Sequence, residues 1–168
     1  MKAYMTNGTV DFLLKLNDQH PNLHFHLMTS PSSTLAYYEG NVKNVFVSGR
    51  AYDVLIHTGE LQEDGFVVMN NIPVTEEGRP VFEERFKKRQ HAVDAMPGFQ
   101  AFRLLKPHKG NTYIVFTQWR RKVDYENWKN SEQFSEAHKK SSVKPPAYFA
   151  DRPFLMSYHM YNSDEEEE

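Results

Sequence analysis

The chain has 168 residues, a formal net charge of −2 and no cysteine. That charge gives no electrostatic case for nucleic-acid binding, and the missing cysteine excludes disulfides, thiolate haem ligation and iron–sulfur clusters. The N-terminus carries no basic-then-apolar signal segment, and no apolar run approaches the ~18 residues of a membrane span. We therefore expect a cytoplasmic protein with neither nucleic acid nor membrane as a partner.

The first half of the chain is predicted to have the order β-α-β-β-β-α. An amphipathic pattern after Gly8-Thr9 predicts a helix, which His20-Pro21-Asn22 ends. Apolar runs bounded by turn-forming residues predict the strands. The predicted strands cover residues 3–5, 23–28, 34–38 and 45–47, and a second, short helix covers residues 51–56.

The second half is predicted to have the order β-α-β-β-α-β, which is the ferredoxin-like order. Its long helix starts from an N-cap at Thr75 and runs through Val93 until Met96-Pro97-Gly98 ends it. The predicted strands cover residues 66–72, 99–105, 113–119 and 153–161, and short helices cover residues 122–128 and 132–139.

Two halves of one type predict an α+β fold with two tandem ferredoxin-like halves, of the dimeric α+β barrel type, whose sheets pack face to face. We expect a divergent N-terminal half at 1–62 and a second domain at 63–163. The acidic run at 164–168 repels itself, so it is expected to form a disordered tail.

The sequence favours chemistry that a cofactor supplies. It contains no nucleophile-elbow, Walker or dinucleotide-binding glycine motif, and no carboxylate pair is placed convincingly for hydrolysis. An aromatic content of 14% suits a flat ligand as well as an ordinary core. The interpretation that remains is a protein that binds a cofactor and orients it for reaction.

Eight histidines are candidates for metal binding. His24 and His26 lie two apart on a predicted strand, so their side chains face the same side and would make half of a metal site. No other residue completes such a site at a diagnostic spacing, which favours ordinary strand histidines at these two positions.

His138 differs from the other histidines in its surroundings. It shares a helix face with Phe134, and Ala137, Lys139 and Lys140 adjoin it. An imidazole in this setting is able to ligate a haem iron while the cations meet the propionates. The alternative is a histidine that packs in the core or at an interface.

Asn70 and Asn71 interrupt a strand rich in Val and Met, although asparagine is a poor strand former. Strand alternation sends only one of the two inward, where its amide needs a hydrogen-bond partner. That amide either binds a ligand in a cavity, or the pair simply ends the strand before Pro73.

Several of these segments resemble one known family. The run from Trp119 to Trp128, followed by Ser131-Glu132-Gln133-Phe134 and Ala137-His138-Lys139, resembles the antibiotic-biosynthesis-monooxygenase superfamily and, within it, the IsdG-type haem-degrading enzymes. The segments 70–75 and 96–99 match the same family's first strand and post-helix turn. The whole length is similar to longer members, both HmoB-type enzymes and TRAP-type signalling proteins.

The resemblance implies a haem-degrading monooxygenase that uses haem as substrate and cofactor, with O2 and an external reductant. It implies that His138 is the axial ligand of the haem iron, that Trp128 presses on the ring, that Asn70 donates a hydrogen bond on the distal side and that Phe134 lines the haem. Asn70 is selected because it lies two before Ile72, whereas counting back from Gly78 favours Asn71.

The resemblance also implies partners. Electrons would come from a separate reductase, because the chain has no flavin or nicotinamide motif. The first half would take the place of a second subunit, which predicts a monomer with an internal pseudo-dimer. Two rival functions stay open: a TRAP-like non-enzymatic signalling or stress-response protein, and a cofactorless monooxygenase acting on an aromatic metabolite.

Overall fold

Residues 1–89, 92–131 and 147–162 are described by the computed structural model of the chain, and all segment boundaries below refer to them. No helix in this part of the chain is long and apolar enough to cross a membrane. The elements are β1 (Lys2–Asn7), α1 (Val10–Asp18), β2 (His26–Ser30), β3 (Ser33–Gly40), β4 (Arg50–Gly59), β5 (Phe66–Pro73), α2 (Arg79–Arg89), β6 (Phe99–Pro107), β7 (Thr112–Trp119), α3 (Lys122–Lys129) and β8 (Phe154–Met160).

The strands close into one antiparallel barrel in the order β1-β3-β2-β8-β5-β7-β6-β4. Each half contributes four adjacent strands, β4-β1-β3-β2 from the first and β8-β5-β7-β6 from the second. Counted within its own half, each set has the same order. The α+β class and the tandem ferredoxin-like halves are thus confirmed, and the two sheets face each other across a shared interior.

The junctions between the halves differ in length. β4 pairs with β6 from Tyr52 opposite Pro107 to Gly59 opposite Ala101, whereas β2 pairs with β8 at only two positions. Because each junction consists of backbone hydrogen bonds, neither half presents a free sheet edge along β4 or β6. The predicted division after residue 62 falls in the connection between β4 and β5. The domain bounds themselves stay a prediction. The predicted tail at 164–168 lies outside the described residues.

The prediction of a helix over 51–56 is wrong, because these residues belong to β4. Tyr52 pairs with Ala3 of β1 on one side and with Pro107 of β6 on the other. A short apolar run fits the period of a helix or of a strand, and the partner that decides between them lies in the other half of the chain. The first half therefore has the order β-α-β-β-β.

The strand that follows α1 begins at His26, later than predicted. Asn17, near the end of α1, donates its Nδ2 to the Leu23 carbonyl at 2.7 Å and accepts the Phe25 N–H at 3.1 Å. The Asn17 side chain therefore provides backbone hydrogen bonds to residues 23–25 that a neighbouring strand would otherwise provide.

The predicted strand over 45–47 is also wrong, since these residues form a loop between β3 and β4. The Val45 N–H donates to the Tyr38 hydroxyl at 2.8 Å, and the Phe46 ring packs edge-on against Tyr38 at 5.1 Å. Val45 and Phe46 suggested a strand, but they pack on the outer face of the first half, whereas Val47 is exposed.

α2 differs from its prediction at both ends. Thr75 Oγ1 accepts the Gly78 N–H at 3.1 Å and closes a turn, so the first helical bond is from the Phe82 N–H to the Gly78 carbonyl at 2.9 Å. The helix is described as far as Arg89, and Val93 lies in the turns that follow. Thr75 thus caps the turn before the helix rather than the helix itself.

Alternating side chains from both halves fill the barrel interior. This follows from the two-residue period of strands, which turns every second side chain inward. The interior cluster consists of Ala3, Met5, Met28, Leu35, Tyr37, Tyr52, Val67, Met69, Leu105, Ile114, Phe116, Tyr158 and Met160.

One ion pair lies among these apolar side chains and joins the two halves. Arg103 of β6 donates from Nη2 to Glu39 Oε1 of β3 at 2.9 Å, and their side chains are 4% and 16% exposed. Arg103 Nη1 also donates to the Thr58 carbonyl at 2.9 Å, and the Tyr37 hydroxyl donates to Glu39. These bonds are the extra hydrogen bonds that a buried ion pair requires. In the same place, burial, more than the neighbouring Glu39, raises the pKa of Tyr37 well above its ordinary value.

Arg103→Ala is expected to lower the free energy of unfolding by about 3 kcal/mol, because Glu39 stays buried without its counter-charge. Lys2→Ala is the control, since it breaks the exposed Lys2–Asp53 pair at 2.8 Å and is expected to change that free energy by less than about 1 kcal/mol. Urea unfolding measures both. Equal small changes would show that the interior pair does not hold the halves together.

Candidate functional site

The candidate site lies on the outer face of β5. Val67 and Met69 belong to the interior cluster, so Asn71, two residues further on, points the same way. The alternate residues form an outer face that also carries α2 and α3, and we call it the helix-side face. On β5 it comprises Phe66, Val68, Asn70 and Ile72.

The two helices cover different ends of this face. The Phe66 ring contacts Tyr125 of α3 with centroids 6.2 Å apart, whereas Ile72 packs in one cluster with Phe82 of α2. Asn70 lies between Phe66 and Ile72 along the strand. The structure therefore places Asn70 in the stretch between the two helices.

The neighbours of Asn70 across the sheet are apolar. It lies opposite Val115 of β7 on one side and opposite Leu155 of β8 on the other. Asn70 is partly exposed and Leu155 is 53% exposed. Among the described residues, no hydrogen bond to the Asn70 amide is found. An amide on an apolar, open face is suited to bind a ligand that itself brings a hydrogen-bond partner.

Asn71 is the opposite case. Its side chain is buried, and Nδ2 donates to the Met69 carbonyl at 3.2 Å and to the Phe154 carbonyl at 3.4 Å. Both acceptors are backbone atoms of the barrel, one on β5 and one at the start of β8. Asn71 thus has a structural role, and of the two asparagines Asn70 alone faces the helices.

Trp128, the second predicted site residue, belongs to α3, and its side chain is buried between this helix and the same side of the sheet. Its ring stacks on Trp119 with centroids 6.4 Å apart and planes inclined by 27°. Trp119 is fully buried, and its Nε1 donates to Thr117 Oγ1 at 3.0 Å. Trp119 thus provides a fixed platform that determines where the indole of Trp128 lies.

The position of α3 depends on a close contact with Gly98. Asp124 in the first turn of α3 is buried, and a Cβ atom on Gly98 would come within 2.3 Å of its carboxyl carbon. Gly98 also has a φ of +81°, which favours glycine. The Gly98 carbonyl accepts the Arg120 N–H at 2.7 Å. These contacts set the start of the helix that carries Trp128.

Gly98→Ala is expected to destabilise the fold by about 2 kcal/mol, because it combines an unfavourable φ with a collision against α3. Gly110→Ala is the matched control, since Gly110 has a φ of +82° and no atom of the described segments lies within 4 Å of the added Cβ. Thermal unfolding monitored by tryptophan fluorescence compares the two variants. Equal shifts would mean that the collision with Asp124 is relieved without cost.

His138 and Phe134, the remaining predicted site residues, lie outside the described residues, as do Lys139 and Lys140. Residues 132–146 connect two anchor points on the helix-side face. On one side α3 ends, with the Ser131 N–H donating to the Trp128 carbonyl at 3.0 Å. On the other, Tyr148 packs against Phe82 of α2 at 5.8 Å between centroids.

The second anchor is also held by backbone hydrogen bonds. The Thr75 N–H donates to the Tyr148 carbonyl at 2.8 Å, and the Ala150 N–H donates to the Pro73 carbonyl at 2.9 Å. Residue 147 onward is therefore attached to the end of β5 and the start of α2. The described residues on either side of positions 132–146 are thus both attached to the helix-side face, which also carries Asn70.

Tyr125 is a neighbour of the site that sequence reasoning missed. It contacts both Phe66 and Trp119, at 6.2 and 6.1 Å between centroids, and burial raises the pKa of its phenol. The signal was its position three residues before Trp128, which puts both rings on one side of α3. Tyr125 closes the gap between the helix and the strand.

The far end of the helix-side face is polar. The Tyr113 hydroxyl donates to Glu83 of α2, which also forms an ion pair with Lys106 at 3.1 Å. Burial, together with the neighbouring carboxylate, raises the pKa of Tyr113. These contacts attach α2 to the sheet.

Comparison with known protein families gives a match in the second half of the chain. The family described as "Antibiotic biosynthesis monooxygenase" matches residues 65–140. This span contains β5, α2, β6, β7 and α3, together with all four predicted site residues.

Relatives that match over most of the chain have two kinds of names. The "Signal transduction protein TRAP" of Staphylococcus epidermidis is 32% identical, over 85% of this chain and 86% of that protein. The "Heme-degrading monooxygenase" of Listeria monocytogenes is 27% identical, over 77% of this chain and 78% of that protein. Among solved structures, "a major regulator of staphylococcal pathogenesis" superimposes with a TM-score of 0.82 at 25% identity, over 96% of this chain and 98% of that one.

Proposed function

Because the chain belongs to the antibiotic biosynthesis monooxygenase family, we propose that it is a haem-degrading monooxygenase. It binds haem on the helix-side face, opens the porphyrin ring oxidatively with O2 and an external reductant, and releases iron. The observation that carries the proposal is Asn70, an amide without a hydrogen bond in the described chain, on an apolar face beside the helix of Trp128. The printed name of the Listeria relative supports the same chemistry.

The residues of this face fit haem. A porphyrin is flat and apolar, and the surface around Asn70 is formed by Val115 and the exposed Leu155, with aromatic rings under α3. The one polar side chain between these apolar neighbours is an amide, which donates hydrogen bonds without bringing a charge to this face. The apolar side chains would contact the flat porphyrin ring, and the Asn70 amide would remain as a hydrogen-bond donor on its reacting side.

Each site residue has one role in this proposal. His138 would ligate the iron through an imidazole nitrogen. Trp128, fixed on Trp119, would press on one edge of the ring and so select the carbon that is oxidised. Asn70 would hold its amide hydrogen toward the reacting side of the bound haem. When bound, haem supplies the iron that activates O2 and is itself oxidised.

The two asparagines provide a matched test of this assignment. Asn70→Ala is expected to bind haem but to slow turnover by about 100-fold, the effect of removing one hydrogen-bond donor from a reacting centre. Asn71→Ala removes bonds to the barrel backbone, so it is expected to lower stability and leave turnover of the folded protein close to normal. Haemin titration followed by ascorbate, with the Soret band as readout, measures both. Undiminished turnover in Asn70→Ala would contradict the assignment.

His138 is tested by binding rather than by turnover. The parent protein is expected to give a saturable one-to-one Soret shift that decays upon reduction, and His138→Ala is expected to lose that shift. His20→Ala, at a histidine in the turn after α1, serves as the control and should bind as the parent does. Equal binding by all three proteins would remove His138 as the ligand.

The closed barrel supports a monomer with an internal pseudo-dimer. The edges that would pair with a second subunit pair instead within the chain, chiefly β4 with β6. Sedimentation is therefore expected to give a mass near 19.7 kDa at micromolar concentration. A mass near twice that value would contradict this part of the proposal.

The electron donor is a separate reductase, and the proposed location is the cytoplasm.

A second function is favoured by one observation, the 32% identity to a protein named for signal transduction. In that case the helix-side face would bind no haem, or would bind it without reaction. A stable Soret band in the presence of ascorbate and O2, or no specific shift at all, would favour this reading. Decay of the band with the release of iron would exclude it.

A further inference from the structure

Three potential metal ligands come together at one end of the barrel. His24, His26 and Glu63 each place one ligand atom within 4.8 Å of the other two. His24 Nε2 lies 2.7 Å from Glu63 Oε1, and the two imidazole rings are 4.7 Å apart at their centroids. The histidines belong to the first half, whereas Glu63 belongs to the connection that leads into the second.

The local backbone fixes the direction of both histidines. Phe25, between them, is buried against Tyr38 with stacked rings 5.3 Å apart, on the outer side that carries α1. The imidazole rings of His24 and His26 meet edge-on with centroids 4.7 Å apart, so both side chains lie on one side of this segment. Met28, two residues after His26, belongs to the interior cluster, so His26 lies at the mouth of the barrel. Its Nδ1 is buried and has no hydrogen-bond partner among the residues that the structure describes.

Glu63 is held in place from both sides. Gln118, which is fully buried, accepts the Gln62 N–H at 2.9 Å and donates to the Gln62 carbonyl at 2.9 Å. On the other side, Asn162 Nδ2 donates to Asp64 Oδ1 at 2.8 Å. The connection is thus attached immediately before and after Glu63, which keeps that carboxylate beside the two histidines.

We propose that His24, His26 and Glu63 bind one divalent first-row transition-metal ion, such as Zn²⁺ or Fe²⁺. Two imidazole nitrogens and one carboxylate oxygen are a donor set that these ions accept, with water in the remaining positions. The site is separate from the helix-side face and does not depend on the proposed haem chemistry. Its metal would connect β2 to the link between the halves.

The observed spacing requires only a small adjustment to hold an ion. Ligand atoms at ~2.1 Å from a tetrahedral metal lie ~3.4 Å from one another, so His24 and Glu63 must separate slightly. His26 already places a ligand atom within 4.8 Å of both. The side chains of His24 and Glu63 are 61% and 67% exposed, and they are free to rotate into place. The same exposure leaves open positions for water or a substrate.

The test uses the full chain, stripped with a chelator and free of haem, in equilibrium dialysis against Zn²⁺ and Co²⁺. One ion per chain is expected, with visible Co²⁺ bands that report nitrogen and oxygen coordination. His24→Ala and Glu63→Gln, both at exposed positions, are expected to weaken binding at least about 10-fold, since each removes a ligand or its charge. Metal should also raise the melting temperature of the parent and not of these variants.

His108→Ala is the matched control. His108 also pairs with a carboxylate, Asp53 at 3.0 Å, but it lies outside the cluster. It is expected to bind metal as the parent does. The inference is overturned if no ion binds, if His24→Ala and Glu63→Gln bind as tightly as the parent, or if His108→Ala weakens binding equally. Because no haem is present, each of these results leaves the proposed function to be decided separately.

Discussion

The closure of eight strands into one ring is the constraint on which the rest of the structure depends. Closure fixes the register of β5 against β7 and β8, and with it the face to which every side chain points. A slip of one residue would turn Asn70 into the interior and Asn71 toward the helices. The same slip on β6 would take Arg103 away from Glu39. The candidate site and the buried ion pair are therefore two consequences of one register.

The two halves share a strand order but use their outer faces differently. In the first half, α1 lies over a face filled by its own aromatic side chains, among them Phe25, Tyr38 and Phe46. In the second half, the face between α2 and α3 holds Asn70 without a hydrogen bond to the described chain. One half thus completes the barrel, while the other carries the candidate site. This division accounts for a proposal of one haem per chain rather than two.

Local patterns could predict most of the second half, because its strands alternate and its turns contain proline and glycine. They could not predict β4, whose identity as a strand depends on pairing with β6 far along the chain. The sequence also selected Asn70 and Trp128, although the stacking of Trp128 on Trp119 depends on tertiary packing. His24 and His26 were visible as half of a metal site. Glu63 was not, because Gln118 brings it there through a contact between distant residues.

Iron release links the binding site to the chemistry and is the most direct test of the account. The purified protein, with one equivalent of haemin, O2 and excess ascorbate, is to be followed with a colorimetric ferrous chelator beside the Soret band. The account predicts that the band decays while about one iron appears for each haem consumed, and that Asn70→Ala delays both signals equally. A decay without chelatable iron, or a Soret band that persists under these conditions, would contradict haem degradation as the function of this chain.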